Sequence, residues 1–284
     1  MKYNFDEIIP RRGTNSYKWD TPEEENVLPM WVADMDFRTA PAIIETLRRR
    51  VEHGIFGYTK VPQNYYDAIV SWFINRHQWE IDSQWIIYTS GVVPAISAII
   101  KAMTIPGDKI IVQTPVYNCF YSSIRNNGCR MIANNLIYQE GRYTIDFDDL
   151  ELKAADPETK LLLLCNPHNP VGRVWKEWEL RKIGDICLKH NVLVVSDEIH
   201  SDFTYGENIH HVFASLDEKY AAITTTCTAP SKTFNIAGLQ ISNIWISNPE
   251  LRARFRAEVT AAGYSQVNLM GLVACQAAYE TGEE

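Results

Sequence analysis

The chain has 284 residues, of which 46% are hydrophobic, and a formal net charge of −8. This length and apolar content predict one large globular domain with at most a smaller appendage. The negative charge argues against nucleic acid or an anionic membrane as a partner. The first thirty residues are too polar to be typical of a signal peptide, and no apolar run approaches the length of a membrane span. We therefore expect a cytoplasmic protein.

The cysteine and histidine patterns argue against two other kinds of site. Six cysteines are scattered without a CxxC pair, so we expect reduced, buried thiols. The histidines, including His200, His210 and His211, lack the spacing of metal ligands, and no metal site is predicted.

The N-terminal part of the chain reads as an arm followed by two helices. Residues 1–30 are irregular and rich in proline and charge, and residues 31–37 place apolar side chains around Asp34 and Asp36. Pro41 begins a predicted helix that runs to about residue 51, and Pro62 begins a second that runs to about residue 77.

From residue 86 onwards, predicted strands alternate with predicted helices, which is typical of a three-layer αβα domain with a mostly parallel, seven-stranded sheet. Continuous apolar runs at 161–164 and 192–195 indicate strands that are covered on both faces. The predicted strands are 86–89, 110–113, 131–134, 161–165, 193–196, 223–226 and 241–246. The predicted helices are 93–103, 117–127, 175–190 and 267–279. The sequence stops soon after the last helix, and we expect a C-terminal domain to be missing.

Ligands bind such sheets at the carboxyl ends of the strands, so the residues that follow each strand are the candidates. Ser90 and Gly91 follow the first strand and precede a helix, which suits a phosphate cradle or, equally, an ordinary turn. Tyr117 follows the second strand and could stack on a planar ring or belong to the core or rim. Asn169 lies in a loop stiffened by two prolines that can aim its amide at a ligand.

Two charged residues follow the next strands. Asp197 ends an apolar strand, where a carboxylate needs a cationic partner, so either a ligand cation or a structural salt bridge is expected. Lys232 follows a buried strand, where partial desolvation makes an amine nucleophilic, although taken alone it could be a surface lysine. Together these residues predict a pyridoxal-phosphate site, with Lys232 forming the Schiff base and Asp197 keeping the pyridine nitrogen protonated. Asn169 would bond the ring oxygen, and Tyr117 would stack on the ring.

Nearly the whole chain resembles fold type I pyridoxal-phosphate enzymes of the aminotransferase class I/II superfamily, and more closely the MalY/PatB group of cystathionine β-lyase-like C–S lyases. The motifs that carry the resemblance are at 31–37, 56–58, 89–94, 114–117, 166–172, 196–200 and 229–235. The resemblance implies a large pyridoxal-phosphate-binding domain at 51–284, with 1–50 forming an arm and part of a small domain.

The resemblance also implies roles for individual residues. Lys232, Asp197 and Tyr117 are expected to be catalytic, and Tyr58 is expected to reach the phosphate of a neighbouring subunit, which implies a homodimer. Ala33, Asp34 and Asn169 are expected to bind substrate. The expected cofactor-binding residues are Ser90, Gly91, Val92, Tyr117, Asn169, Asp197, His200, Thr228, Ser231, Lys232 and Tyr58.

Three departures from the superfamily pattern qualify these roles. His200 stands where a tyrosine is common, as it does in the lyase group, and Gln240 stands where an arginine is common. Phosphate binding is therefore expected to depend on Ser231, Thr228 and the backbone. The arginine that grips the substrate carboxylate belongs to the C-terminal domain that we expect to be missing.

The activity that the resemblance implies is β-elimination from cystathionine or related cysteine S-conjugates to a thiol, pyruvate and ammonia. An aminotransferase shares every cofactor residue and is the alternative. A regulatory binding protein with the same fold is a second alternative.

Overall fold

The computed structural model describes residues 3–22, 24, 26–264 and 266–283. Within them the chain forms nine strands and nine α-helices, in addition to short 3₁₀ turns. The strands are β1 (Ile86–Thr89), β2 (Lys109–Thr114), β3 (Arg130–Asn135), β4 (Ile137–Gln139), β5 (Arg142–Thr144), β6 (Thr159–Cys165), β7 (Leu193–Asp197), β8 (Thr224–Thr228) and β9 (Ser242–Trp245). The helices are α1 (Pro41–His53), α2 (Gln63–His77), α3 (Val92–Met103), α4 (Asn118–Asn126), α5 (Phe147–Ala154), α6 (Glu177–Lys189), α7 (Glu218–Ala221), α8 (Pro249–Ala261) and α9 (Leu269–Thr281).

Seven of the strands form one sheet in the order β1-β9-β8-β7-β6-β2-β3. Every neighbouring pair is parallel except the two pairs that β9 makes, with β1 and with β8. This confirms the predicted seven-stranded, mostly parallel sheet. Because Asp197 is in register with Cys165 on one side and Cys227 on the other, the carboxyl ends of β6, β7 and β8 lie side by side.

Both faces of the sheet are covered, as the apolar strands predict. Alternate residues of β2 and β6 enter different cores: Val112 and Leu163 pack against α3 and α4, whereas Ile111 and Leu162 pack against α5 and α6. A third apolar cluster joins α1, α2 and α9 to β9. None of the described helices is both long and apolar enough to cross a membrane.

Four features were not predicted from the sequence: the hairpin β4–β5 and the helices α5, α7 and α8. Helix α8 buries only Leu251 and Phe255, so its apolar periodicity is weak. Its start is nevertheless well marked, because the Asn248 side chain accepts a hydrogen bond from the backbone N–H of Glu250 at 2.9 Å and Pro249 follows. Strand β1 has the predicted bounds, and the bounds of the other predicted helices and strands differ from the predictions by at most about two residues at either end.

Candidate active site

A cleft of ≈ 860 Å³ opens at the carboxyl edge of the sheet. This volume is typical of sites for small molecules. The cleft brings together ten of the residues that the sequence singled out: Ala33, Ser90, Gly91, Val92, Tyr117, Asn169, Asp197, His200, Ser231 and Lys232. A separate cavity of ≈ 390 Å³ between α2 and α9 contains none of them.

One end of the cleft is the N-terminus of α3. Gly91 is the N-cap residue, and among the described side chains none caps the helix there. The first backbone N–H groups of an α-helix have no acceptor within the helix, so those of Val92 and Val93 are available to a ligand. Gly91, Val92 and Val93 all line the cleft. A helix of 12 residues that begins in this way provides a binding site for an anion such as phosphate.

Asp197, the last residue of β7, supplies a buried carboxylate. Its side chain accepts a hydrogen bond from the backbone N–H of Ile199 at 3.2 Å, and the residue is only 4% exposed. Burial raises the pKa of Asp197 to about 7, while the nearby positive charge of Lys232 acts in the opposite direction. Within the described part of the chain Asp197 forms no ion pair, so the cationic partner expected from the sequence is not a protein side chain there.

Lys232 lies in the turn that follows β8. The turn is closed by backbone hydrogen bonds from Phe234 N–H to Pro230 O at 3.0 Å and from Ile236 N–H to Ser231 O at 3.1 Å. Burial lowers the pKa of the Lys232 amine, and the carboxylates of Asp34 and Asp197 partly oppose that effect. A lowered pKa increases the fraction of uncharged amine at neutral pH, which is the nucleophilic form.

The loops that carry Tyr117 and Asn169 are joined by His168. Its imidazole donates from Nε2 to the carbonyl oxygen of Pro115 at 2.9 Å, and burial lowers its pKa to about 4, so the ring is neutral at physiological pH. Burial, together with Cys119 and Asp197, raises the pKa of the Tyr117 hydroxyl, which therefore stays protonated. Both Tyr117 and Asn169 line the cleft.

His200 also lines the cleft and is neutral there. Burial lowers its pKa to about 4, and the positive charge of Lys232 adds to that effect. Because a neutral imidazole keeps one unprotonated nitrogen, His200 can accept as well as donate a hydrogen bond.

The structure does not bring three of the predicted residues into this cleft. The Thr228 hydroxyl donates to Asn243 O at 3.0 Å and accepts from Trp245 Nε1 at 2.9 Å. Its proton is therefore not available to a phosphate in the cleft. The Asp34 carboxylate is bound by Arg11 at 2.7 Å, and only its neighbour Ala33 lines the cleft. Tyr58 is 96% exposed and lies at a different, shallow cavity.

The groups that hold residues 33–37 beside the cleft were not predicted from the sequence. Arg11 binds Asp34 and Asp36, in each case at 2.7 Å, and Lys18 binds Asp36 at 3.0 Å. From the opposite side, the Asn235 amide bonds the backbone of Met35 and Phe37. Asn235 lies within a motif already noted at 229–235, whereas nothing in the sequence distinguished Arg11 from other arm residues.

The donor set fits pyridoxal phosphate. The open N-terminus of α3 suits the phosphate, and the buried Asp197, which forms no ion pair with the described residues, suits a protonated ring nitrogen. An amine of lowered pKa and an aromatic ring line the same cleft. The site therefore has the groups needed to bind both ends of the cofactor and to form a covalent link to it.

Comparison with known proteins agrees with this geometry. The profile of the family described as aminotransferase class I and II matches residues 25–277. The chain is 48% identical to cystathionine β-lyase PatB of Bacillus subtilis, over 98% of this chain and 73% of that protein. The solved structure of cystalysin from Treponema denticola, which contains a pyridoxal 5′-phosphate cofactor, is 44% identical, with a TM-score of 0.96 over 100% of this chain and 73% of that one. The pyridoxal-phosphate-bound C–S lyase from Staphylococcus hominis is 37% identical, with a TM-score of 0.94 over 100% of this chain and 72% of that one. The chain belongs to the aminotransferase class I and II family.

Proposed function

We propose that the chain is a pyridoxal-phosphate-dependent carbon–sulfur β-lyase that cleaves cystathionine or related cysteine S-conjugates to a thiol, pyruvate and ammonia. The observation that carries the proposal is that Asp197 and Lys232 line one cleft, which also contains the open N-terminus of α3. The names of the Bacillus and Staphylococcus proteins support a lyase rather than another activity of the family.

The cofactor, when bound, withdraws the electron density that develops at the substrate Cα. The backbone N–H groups of Val92 and Val93, with the hydroxyls of Ser90 and Ser231, would bind its phosphate. Asp197 would hold the proton on the ring nitrogen, and the buried carboxylate would thereby gain a directly bonded cationic partner.

Lys232 serves as the covalent anchor and as the base. Its lowered pKa makes the uncharged amine available to take the proton from Cα. Loss of that proton and of the Cβ–S bond releases a thiol, and one water is consumed when the remaining three-carbon fragment becomes pyruvate and ammonia. The Tyr117 hydroxyl, which stays protonated, can donate a hydrogen bond within the same cleft, and the neutral His200 can accept one.

The same proposal includes a homodimer in which Tyr58 contacts the phosphate bound by the other subunit. Tyr58 is 96% exposed and does not line the cleft of its own chain. It follows an exposed apolar stretch that includes Val51, Ile55 and Phe56, and such a patch is typical of an interface. Analytical ultracentrifugation tests the dimer. In addition, Tyr58→Ala is expected to weaken cofactor binding, although Lys232 remains in place as the covalent anchor.

The function is tested with the purified protein and added pyridoxal phosphate. We expect visible absorbance from the lysine-bound cofactor and release of pyruvate from cystathionine, and Lys232→Ala is expected to lose both. Lys160→Ala is the matched control, because Lys160 is exposed and, within the part of the chain that the structure describes, its amine donates only to the nearby Pro157 O. Conversion to a keto acid that needs an added 2-oxo acid, with no pyruvate from thioethers, would instead identify an aminotransferase.

A further inference from the structure

Asp202 is a buried carboxylate outside the cleft that none of the roles above uses. Its side chain is 9% exposed, and both oxygens are occupied. Oδ1 accepts from His77 Nε2 at 3.0 Å and from Trp72 Nε1 at 3.3 Å, and Oδ2 accepts from Thr233 Oγ1 at 2.7 Å. Burial alone would raise the pKa of Asp202, but the hydrogen bonds from His77 and Thr233 hold it below the usual range, so the carboxylate is charged.

The bond to Thr233 ties the backbone beside Lys232 to helix α2. Thr233 directly follows Lys232, whereas His77 and Trp72 belong to α2. Among the described residues, the Lys232 amine itself makes one long hydrogen bond, 3.4 Å, to Ala33 O. A weak contact at the tip of a flexible side chain restrains it little, so the position of the amine depends on how firmly the Lys232 backbone is held.

A second buried carboxylate lies beside the other catalytic residue. Glu198 directly follows Asp197 and is fully buried. It accepts hydrogen bonds from Ser196 Oγ at 2.7 Å, from Phe213 N–H at 3.0 Å and from His210 Nε2 at 2.8 Å. The rings of His210 and His77 meet edge to face, with centroids 5.4 Å apart. The two carboxylates thus belong to one packed polar cluster behind the cleft, with one end beside Asp197 and the other beside Lys232.

A charge buried this deeply is costly unless its hydrogen bonds are complete, and an apolar group would fill the same space more favourably. Asp202, unlike an apolar group, accepts a directional hydrogen bond from Thr233, the residue beside Lys232. We propose that Asp202 is a positioning residue that acts through the Thr233 hydroxyl to hold Lys232 in line with the cofactor site. This rests on the function proposed above, because it assigns Lys232 as the residue that bonds the cofactor and moves the proton.

Thr233→Val and Thr233→Ser form the test pair, because valine keeps the shape of threonine and loses the donor, whereas serine keeps the donor. The first measurement is the rate at which visible absorbance appears when pyridoxal phosphate is added to the cofactor-free protein. We expect Thr233→Val to be about tenfold slower, since misplacement by about 1 Å can cost up to about a hundredfold in rate. Thr233→Ser is expected within about twofold of the unchanged protein.

Thr224→Val is the control for loss of a buried hydroxyl, because Thr224 Oγ1 donates to Tyr220 O at 2.7 Å at the opposite end of β8. It is expected to bind cofactor at the unchanged rate. The second measurement separates kcat from KM: Thr233→Val is expected to lower kcat about tenfold and to leave KM within about twofold, since only the position of the reacting amine changes.

Equal absorbance rates for Thr233→Val and the unchanged protein would overturn the positioning role, and so would a Thr233→Ser variant as slow as Thr233→Val. If Thr233→Val does not fold, Thr233→Ala replaces it with the same expectations, because alanine leaves room for a water on Asp202 Oδ2. The absorbance rate needs no lyase turnover. A protein that forms pyruvate from no thioether, yet shows the expected order of absorbance rates, would refute the lyase function and retain the positioning role.

Discussion

The Lys232 amine donates a hydrogen bond to the Ala33 carbonyl oxygen, 199 residues earlier in the chain, at 3.4 Å. One wall of the cleft is therefore a segment of the N-terminal part of the chain, and residues 30–33 all contribute to it. Arg11 and Lys18 hold this segment from the arm side through Asp34 and Asp36. The position of this wall relative to Lys232 depends on contacts outside the cleft itself.

Asn235→Ala is expected to loosen that wall. The Asn235 side chain accepts from Met35 N–H at 3.0 Å and donates to the carbonyl oxygens of Met35 at 3.1 Å and Phe37 at 2.8 Å. Loss of these bonds should lower the free energy of unfolding by about 1–3 kcal/mol. It should also raise KM for the thioether about tenfold, because the segment that carries Ala33 is no longer fixed. Asn208→Ala removes one exposed amide bond to Tyr205 O and is the control, with KM expected to be unchanged. An Asn235→Ala protein with the KM of the unchanged protein would contradict this account.

Asp197→Asn is expected to stabilise the cofactor-free protein at alkaline pH while it abolishes turnover. The pKa of Asp197 is raised to about 7 in the folded state, against about 4 in an unfolded chain, so the folded state binds the extra proton between these values. The free energy of unfolding therefore falls as pH rises through this window, by up to about 4 kcal/mol for a shift of roughly three units. Because an asparagine side chain does not titrate, Asp197→Asn lacks this fall in the free energy of unfolding.

The measurement is denaturation of the cofactor-free unchanged protein and Asp197→Asn at pH 4 and pH 8. The stability of the variant relative to the unchanged protein should increase from the lower to the higher pH, a difference that cancels the titration of other groups. A pH-independent difference for Asp197→Asn would mean that the carboxyl titrates alike in both states.

The residues at the strand ends could be found from the sequence because the strands themselves are unambiguous. Residues 161–165 of β6 are buried, as is β7 apart from the partly buried Leu193, so the polar residues that end or follow these strands had to lie at the sheet edge. The orientation of single side chains could not be found in this way. All five residues of β8 are buried, so no alternation of polar and apolar residues indicates that the Thr228 hydroxyl points towards Asn243 and Trp245.

Contacts between loops were equally inaccessible. Arg11 and Asp34 are 23 residues apart in irregular segments, and no period or strand register relates them. Asp202 is a similar case: it follows a recognisable motif, but its partners His77 and Thr233 come from 125 residues before it and 31 residues after it. Such pairs are set by the packing of whole elements, which a single sequence does not encode locally.

His168→Phe is expected to detach the two loops that carry Tyr117 and Asn169. Phenylalanine keeps the edge-to-face contact with Trp175 but cannot donate to Pro115 O. We expect a loss of about 0.5–1.5 kcal/mol in the free energy of unfolding at pH 7, because the hydrogen bond to Pro115 O is lost, together with weaker cofactor binding. His168→Gln, which can still donate, should recover part of both.

The effect of His168→Phe on the free energy of unfolding depends on pH with the opposite sign to the effect of Asp197→Asn. Burial lowers the pKa of His168 to about 4, so between about 6.5 and 4 the unfolded chain binds a proton that the folded chain does not. The contribution of His168 to stability is complete above this window and is lost as pH falls through it. The advantage of the unchanged protein over His168→Phe should therefore shrink from pH 7 to pH 4, and a constant advantage would show that the imidazole is not held neutral.

Gly271→Ala is expected to destabilise the protein, although alanine is the better helix former. In an open helix this change would stabilise by about 1 kcal/mol. In α9, however, a Cβ at Gly271 would lie 2.4 Å from the carbonyl oxygen of Leu239 and 3.3 Å from Ile241 Cβ. A backbone atom cannot rotate away, so α9 or the turn at Leu239 must move, at a cost of about 1–3 kcal/mol.

Because Gln240 and Ile241 line the cleft, the movement caused by Gly271→Ala should also weaken cofactor binding. Urea denaturation and a cofactor titration measure the two effects, and Glu280→Ala, at an exposed position of the same helix, should show neither. A Gly271→Ala protein as stable as the unchanged one would mean that α9 is not seated as closely on this turn as the 2.4 Å approach requires.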